Sequence, residues 1–108
     1  MTRNVTIAAF SDAHANSLAL EAVLKDIRAQ APDLIVNLGD QVWGQVDPLG
    51  AYHLQADIQA VEVRGNNDEK PVLSDLPEFE SRYASWLGER VPADALKRLG
   101  ELPVQASL

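Results

Sequence analysis

The sequence predicts an α/β domain that begins β-α-β-α-β and adds further helices after its third strand. Apolar runs at residues 5–10, 34–38 and 61–63 have the length of buried strands. The segments that separate them carry helical periodicity or a helix-start signal. Strands that alternate with helices in this way form parallel sheets, so we expect the C-terminal ends of all the strands to lie at one sheet edge.

The first predicted helix runs from about Ser17 to Gln30. Asn16 or Ser17 can cap its start, and Pro32 ends it. Its predicted apolar face consists of Leu20, Val23, Leu24, Ile27 and Ala31.

The run 34–38 is almost entirely apolar, which is typical of a central parallel strand that is buried on both faces. Asp47 and Pro48 open a second helix that reaches about Ile58 and leads to the third strand. Residues 69–77 contain two prolines and are predicted to be a loop, followed by helices at 78–87 and 92–99. Residues 101–108 resemble the approach to a further strand.

Composition limits the class of protein. The 108 residues suit one domain, 46% of them are hydrophobic, and the absence of cysteine excludes disulfides, zinc-thiolate sites and cysteine nucleophiles. The net charge of −7 argues against binding to nucleic acid or to anionic lipid. The apolar run 5–10 is too short for a signal segment or a membrane span, so we expect a cytoplasmic protein without a membrane partner.

Polar segments follow each predicted strand directly. They are Ser11-Asp12-Ala13-His14, Gly39-Asp40 and Gly65-Asn66-Asn67-Asp68. Asp12 and Asp40 would repel each other at a shared sheet edge unless a cation lay between them. Alternation places Asp12 and His14 on the same side of an extended segment, where both can reach one ion. The sequence therefore predicts a metal site.

These segments, in this order, resemble the first three motifs of the calcineurin-like metallophosphoesterases. Residues 11–24, SDAHANSLALEAVL, are similar to the family's usual S-D-x-H-G-N-x-x-A-L-E-A-V-L opening. The resemblance implies a four-layer αββα sandwich, of which residues 1–108 would be the N-terminal half. The family completes its two-metal site with a later His and a Gly-His-x-His segment, whereas the only histidines here are His14 and His53. We therefore expect a domain that stops before those motifs.

The resemblance also implies roles for single residues. Asp12 and His14 would bind one metal, Asp40 would bridge two metals, and Asn66 would bind the second. The ions would be Mn²⁺, Fe, Ni²⁺, Co²⁺ or Zn²⁺. The implied reaction is hydrolysis of a phosphomonoester or phosphodiester by a metal-bridging hydroxide. The acidic charge of the chain favours a small phosphorylated substrate.

Two departures from the family pattern affect this prediction. Asn67 stands where the family usually has a His, and an amide cannot deliver a proton at neutral pH. Asn67 is therefore either a substrate contact or a plain loop residue, and Asp68 is expected to orient its neighbours. We group Asn67 and Asp68 as the candidate catalytic residues. Ala15 replaces a customary Gly, a change that could tighten the approach of backbone to ligand.

Two other hypotheses remain. One is a non-catalytic metal-binding half-domain that forms a homodimer or joins a complementing C-terminal half, and coding DNA for Gly-His-x-His downstream of Leu108 would distinguish it. The other is an ordinary nucleotide-binding module, which ranks last because the chain has no glycine-rich phosphate loop. Trp43 follows Asp40 closely and suits either an aromatic rim for a ring-containing substrate or packing over the sheet edge.

Overall fold

The computed structural model describes residues 4–108 and contains a parallel sheet of three strands. The strands are β1 (Ile7–Phe10), β2 (Leu34–Asn37) and β3 (Val61–Glu62), in the order β1-β2-β3. Helices α1 (Ser17–Gln30) and α2 (Pro48–Ala56) connect them. The predicted α/β class, the β-α-β-α-β order and the central position of the second strand are confirmed.

Helix α1 begins and ends as its residues dictate. Asn16 caps it, because the Asn16 Oδ1 accepts a hydrogen bond from the Ala19 backbone N–H at 3.0 Å. Leu20, Leu24 and Ile27 form the buried face, as predicted. Val23 is 40% exposed, and Ala31 is the left-handed residue that ends the helix. The buried face of α1 is therefore narrower than the sequence predicted.

Helices α3 (Glu78–Gly88) and α4 (Ala93–Gly100) follow a short 3₁₀ turn at Lys70–Val72. They enclose a hydrophobic core cluster beside the loop after β2, and its buried members are Val42, Leu87, Val91, Ala95, Leu96 and Leu99. Tyr83 and Trp86 share a helix with Leu87, which predicts that they are core residues, and they pack against this core but remain half-buried. This core fixes α3 next to the loop that carries Asp40.

The two faces of the sheet differ in how far other segments of the chain bury them. On one face, the buried Asn37 side chain donates a hydrogen bond to Gln55 of α2 at 2.9 Å. The strand register places Ile7, Ala9, Leu34, Val36 and Val61 on the other face, which we call the open face, and alternation extends it to Val5, Leu38 and Val63. Leu38, at the end of the run 34–38, is 47% exposed, whereas Val36 is 9% exposed and lies beside residues 104–108. The run 34–38 is therefore not buried on both faces along its whole length by the described residues.

Residues 101–108, which resemble the approach to a further strand in the sequence, form turns and irregular chain. One strand-like contact remains, because Arg64 donates its backbone N–H to the Pro103 carbonyl at 2.8 Å. Within residues 4–108, no helix has both the length and the apolar character needed to cross a bilayer.

Candidate metal centre

The loops after β1 and β2 are joined side by side by backbone hydrogen bonds. The N–H groups of Asp12, His14 and Ala15 donate to the carbonyls of Gly39, Asp40 and Gln41 at 2.9, 3.0 and 3.1 Å. These bonds continue the pairing of the two strands past their ends. The predicted convergence of the first two motifs therefore follows directly from strand pairing.

Both loops hold unusual backbone conformations. Positive φ angles occur at Asp12 (60°), His14 (45°), Ala15 (64°) and Asp40 (55°), where non-glycine residues are uncommon. Such conformations persist only where surrounding contacts impose them, and they are concentrated at functional sites. Ala15 is fully buried in this strained region, so replacing the family's Gly adds backbone strain here rather than only tightening a ligand contact.

The third loop approaches the second so closely that only glycine fits. A Cβ built on Gly39 would lie 2.2 Å from the Gly65 backbone nitrogen. A Cβ on Gly65 would lie 2.4 Å from the Asp40 Oδ1. Glycine at both positions thus allows the loops after β2 and β3 to meet at the Asp40 carboxylate.

Asp68 holds these two loops together. Its Oδ2 accepts hydrogen bonds from the Gly65 N–H at 2.7 Å and the Asp40 N–H at 2.9 Å, and its Oδ1 accepts one from the Gln41 N–H at 3.0 Å. Asp68 is only 3% exposed. Burial raises the pKa of this carboxyl group and the charge of Asp40 adds to the rise, whereas the three N–H bonds oppose it. Asp68 lies behind Asp40 and acts on the backbone that carries it.

Asn67 contacts the Asp40 carboxylate twice. Its backbone N–H donates to Oδ1 at 2.9 Å and its side-chain amide donates to Oδ2 at 3.2 Å. Asn66 lies one residue earlier, is exposed, and makes no side-chain hydrogen bond within residues 4–108. The predicted catalytic pair is therefore placed around Asp40, while the Asn66 amide stays available to a ligand.

Asp12, His14 and Asp40 converge on one point. Each offers a ligand atom, and these atoms all lie within 4.8 Å of one another. The His14 Nε2 is 3.1 Å from the Asp12 Oδ1 and 3.8 Å from the Asp40 Oδ2. Two carboxylates and an imidazole suit a divalent transition metal, so the residues present fit the ion that the sequence predicted.

The electrostatics of the cluster favour ligation. His14 Nδ1 lies 2.8 Å from the Trp43 carbonyl, which can only accept, so Nδ1 donates its proton there and Nε2 is the ring nitrogen that faces the cluster and would bind an ion. A hydrogen bond from Ser11 Oγ, with contributions from His14, holds the pKa of Asp12 below its ordinary value of 3.8. Asp12 is therefore ionised, and it is exposed enough to meet an incoming ion.

Sequence reasoning missed the buried amides that support this cluster. Gln41 is fully buried, and its Nε2 donates to the Glu62 Oε2 at 2.6 Å. Gln55 donates to the Gln41 carbonyl at 3.2 Å, and Asn37 accepts from the Gly39 N–H at 3.1 Å. The available signal was Asn37, the one polar residue inside the apolar run 34–38.

Comparisons with known proteins agree with the motifs. The family model for calcineurin-like phosphoesterases matches residues 5–107. The protein MJ0912 of Methanocaldococcus jannaschii is 31% identical over 102 residues, which cover 91% of this chain and 42% of that protein.

A solved structure, a metallophosphoesterase from Sphaerobacter thermophilus, aligns with a TM-score of 0.69 and 34% identity over 94% of this chain and 42% of its own. The chain thus spans less than half the length of both proteins. Because the family model covers almost every residue and the converging side chains come from its motifs, this chain belongs to the calcineurin-like phosphoesterase family.

Proposed function

We propose that this chain supplies the N-terminal part of a metal-dependent phosphoesterase site that acts on small phosphorylated molecules. The observation that carries the proposal is the convergence of Asp12, His14 and Asp40, with His14 oriented by the Trp43 carbonyl. A divalent ion bound there would polarise a phosphoryl oxygen and activate water for attack at phosphorus. Manganese is the ion with which we would test the site first.

The residues of the chain have distinct proposed roles. Asp12, His14 and Asp40 hold the cation, and Asn66 contributes its amide oxygen to a second ion. Asn67 keeps the Asp40 carboxylate in place and donates a hydrogen bond to a phosphoryl oxygen, but it transfers no proton. Asp68 fixes the loop that carries Asp40 and acts as a positioning residue. The cytoplasm is the compartment we propose, in keeping with the absence of cysteine.

Calorimetric titration with Mn²⁺ tests the site. We expect one ion to bind at micromolar or weaker affinity, because only part of the family's ligand set lies in this chain. Asp40→Ala should abolish binding, and Asp75→Ala should not, because Asp75 is exposed and does not belong to the converging group of ligands. Equal binding by the wild type and Asp40→Ala would remove the assignment.

Hydrolysis of bis-p-nitrophenyl phosphate with Mn²⁺ tests whether this part of the site is sufficient. We expect negligible turnover by the 108-residue chain, since the family's later histidines are missing from it. Robust turnover that Asp12→Asn abolishes would contradict the proposal that the site is partial.

A second candidate function is association, with or without catalysis. The open face exposes Val5 (58%), Ile7 and Leu38 (47% each), which is typical of surfaces that another chain covers. We propose that a second copy or a complementing C-terminal half packs there. Ile7→Lys should reduce self-association in light scattering, whereas Leu18→Lys, on an exposed position of α1, should not. A sharp monomer at high concentration, with cooperative unfolding, would argue against this candidate.

A further inference from the structure

An aromatic cleft adjoins the candidate metal centre and has no role in the function proposed above. Its volume is about 310 Å³, and it is lined by Gln45, Phe79, Arg82, Tyr83 and Trp86. A neighbouring hollow of about 280 Å³ shares three of these residues and is also lined by Trp43. We refer to the two together as the aromatic cleft.

Three aromatic residues of the aromatic cleft pack against one another. The Trp43 and Tyr83 rings meet edge to face with centroids 4.4 Å apart, and Tyr83 stacks on Trp86 at 5.5 Å. The Tyr83 hydroxyl donates a hydrogen bond to the Gly44 carbonyl. The part of the surface formed by Trp43, Tyr83 and Trp86 is therefore ordered before a ligand binds.

Phe79 is the exception to this packing. It lines both hollows, yet it is 81% exposed, so it contributes little to the core of the chain. Exposed large apolar side chains that border a concave surface are a feature of binding sites. The ring of Phe79 offers a free face on the rim of the aromatic cleft.

The aromatic cleft is continuous with the metal centre through the segment 43–45. The Trp43 carbonyl holds His14 Nδ1 at 2.8 Å, and a Cβ on Gly44 would lie 1.9 Å from the His14 carbonyl oxygen. The segment that orients a metal-binding side chain is therefore also a wall of the aromatic cleft. This shared segment is the observation that links the aromatic cleft to the metal centre.

The lining suits a flat, polar ring that stacks on the free face of Phe79. Aromatic side chains bind planar groups by stacking, which is how proteins bind nucleobases without base-specific contacts. Gln45 is exposed and can both donate and accept hydrogen bonds at a ring edge. Arg82 adds a positive charge that has no ion-pair partner within residues 4–108.

We propose that the aromatic cleft binds a planar heteroaromatic group, such as a nucleobase, that belongs to the phosphate ester held at the metal centre. This inference rests on the proposed function for the position of the phosphate, but the ring-binding surface itself requires no metal. The substrate class would then be nucleoside phosphates and similar esters.

Intrinsic fluorescence provides a direct assay, because the chain has two tryptophans and both, Trp43 and Trp86, line the aromatic cleft. The probes are adenosine, adenosine 5′-monophosphate and ribose 5-phosphate, each titrated into the 108-residue chain with Mn²⁺ or with EDTA. We expect adenosine to quench the tryptophans in both conditions. With Mn²⁺, the nucleotide should bind at least about fivefold more tightly than ribose 5-phosphate, the lower end expected for one stacked base.

The matched variants are Phe79→Ala and Leu18→Ala. Both remove an exposed apolar side chain, and Leu18 is 71% exposed on α1, outside the aromatic cleft. Phe79→Ala should weaken adenosine and the nucleotide by about fivefold or more and leave ribose 5-phosphate unchanged. Leu18→Ala should change none of the three.

The outcomes separate this inference from the proposed function. If adenosine causes no quenching and the nucleotide binds no better than ribose 5-phosphate, the inference is overturned, while Mn²⁺-dependent binding of the sugar phosphate would still support the phosphoesterase site. If adenosine binds but no phosphate responds to Mn²⁺, the metal assignment fails and the ring-binding surface stands. If Phe79→Ala suppresses self-association without altering adenosine binding, the aromatic cleft is a protein contact and the inference fails.

Discussion

Replacing Asp68 with Asn tests how the metal centre is held in place. The substitution keeps the volume of the side chain and exchanges one carboxylate oxygen for an NH₂ group, which can only donate. Asp68 currently accepts three backbone hydrogen bonds, two at Oδ2 from Gly65 and Asp40 and one at Oδ1 from Gln41. No orientation of an amide can satisfy all of these donors.

The expected loss of folding stability follows from this geometry. The best orientation keeps the amide oxygen toward Gly65 and Asp40 and leaves the buried Gln41 N–H facing another donor, which costs about 1–3 kcal/mol. The two remaining bonds lose the assistance of a charge, which roughly halves the strength of each. The neutral amide avoids the desolvation penalty that burial imposes on the Asp68 carboxylate, and this gain offsets part of the loss. We expect a net destabilisation of about 2–4 kcal/mol.

Urea unfolding followed by circular dichroism measures the stability, and calorimetry with Mn²⁺ measures the consequence at the site. We expect Asp68→Asn to weaken Mn²⁺ binding by about 10–100-fold, because the peptide that carries Asp40 loses its support. Asp75→Asn is the matched control, since Asp75 is exposed in the loop before α3.

A small change in both stability and Mn²⁺ affinity would refute this role for Asp68. An Asp68→Asn protein within about 0.5 kcal/mol of the wild type, with unchanged Mn²⁺ affinity, would resemble an ordinary surface substitution. That result would mean that the three loops keep their arrangement without the Asp68 carboxylate.

Three further predictions address other parts of the molecule. Gly65→Ala should lower Mn²⁺ affinity by at least about tenfold in calorimetry, because the new Cβ would lie 2.4 Å from the Asp40 Oδ1. The control is Gly88→Ala, whose Cβ would have no neighbouring atom within 4 Å and which should leave the affinity unchanged. Hydrogen bonds from Ser17 and from the Gly50 N–H lower the pKa of Asp47 below 3.8, so its stabilising contribution is present above that pH and is lost as the pH falls through the lower, folded-state value. The stability advantage of the wild type over Asp47→Asn should therefore shrink between pH 6 and pH 3 in urea unfolding, and a constant difference would contradict the assignment. In a version of the protein extended through the family's later histidines, Asn67→His should raise turnover of substrates with poor leaving groups more than turnover of p-nitrophenyl esters, by up to about 10²–10⁴-fold, and an equal change for both would exclude proton donation at this position.

The sequence alone determined the local structure. Helix α1 follows from apolar spacing and the Asn16 cap, and α2 follows from Asp47 and Pro48, because these signals act within one turn of helix. The parallel sheet followed from the alternation of strands and helices. The convergence of Asp12, His14 and Asp40 was also predictable, because parallel strands end at the same edge.

Contacts between distant segments were decided only in three dimensions. The sequence did not indicate that Asp68 would bind the Asp40 peptide, or that Gln41 and Gln55 would be buried beneath it. Those positions depend on how closely the loops approach, which the paired glycines permit and which no periodic pattern encodes. The sequence also did not indicate that the Asn67 amide would donate a hydrogen bond to the Asp40 carboxylate.

The exposure of particular side chains also required the tertiary structure. A run such as 34–38 shows that a strand is apolar, but whether both faces are covered depends on which other segments pack on the sheet, and here Leu38 remains half-exposed. Helical spacing likewise placed Tyr83 and Trp86 toward a core, whereas the position of α3 beside the segment 43–45 makes them the wall of a cleft. Periodicity specifies the direction of a side chain relative to its own helix or strand, and only the packing of those elements specifies what it meets.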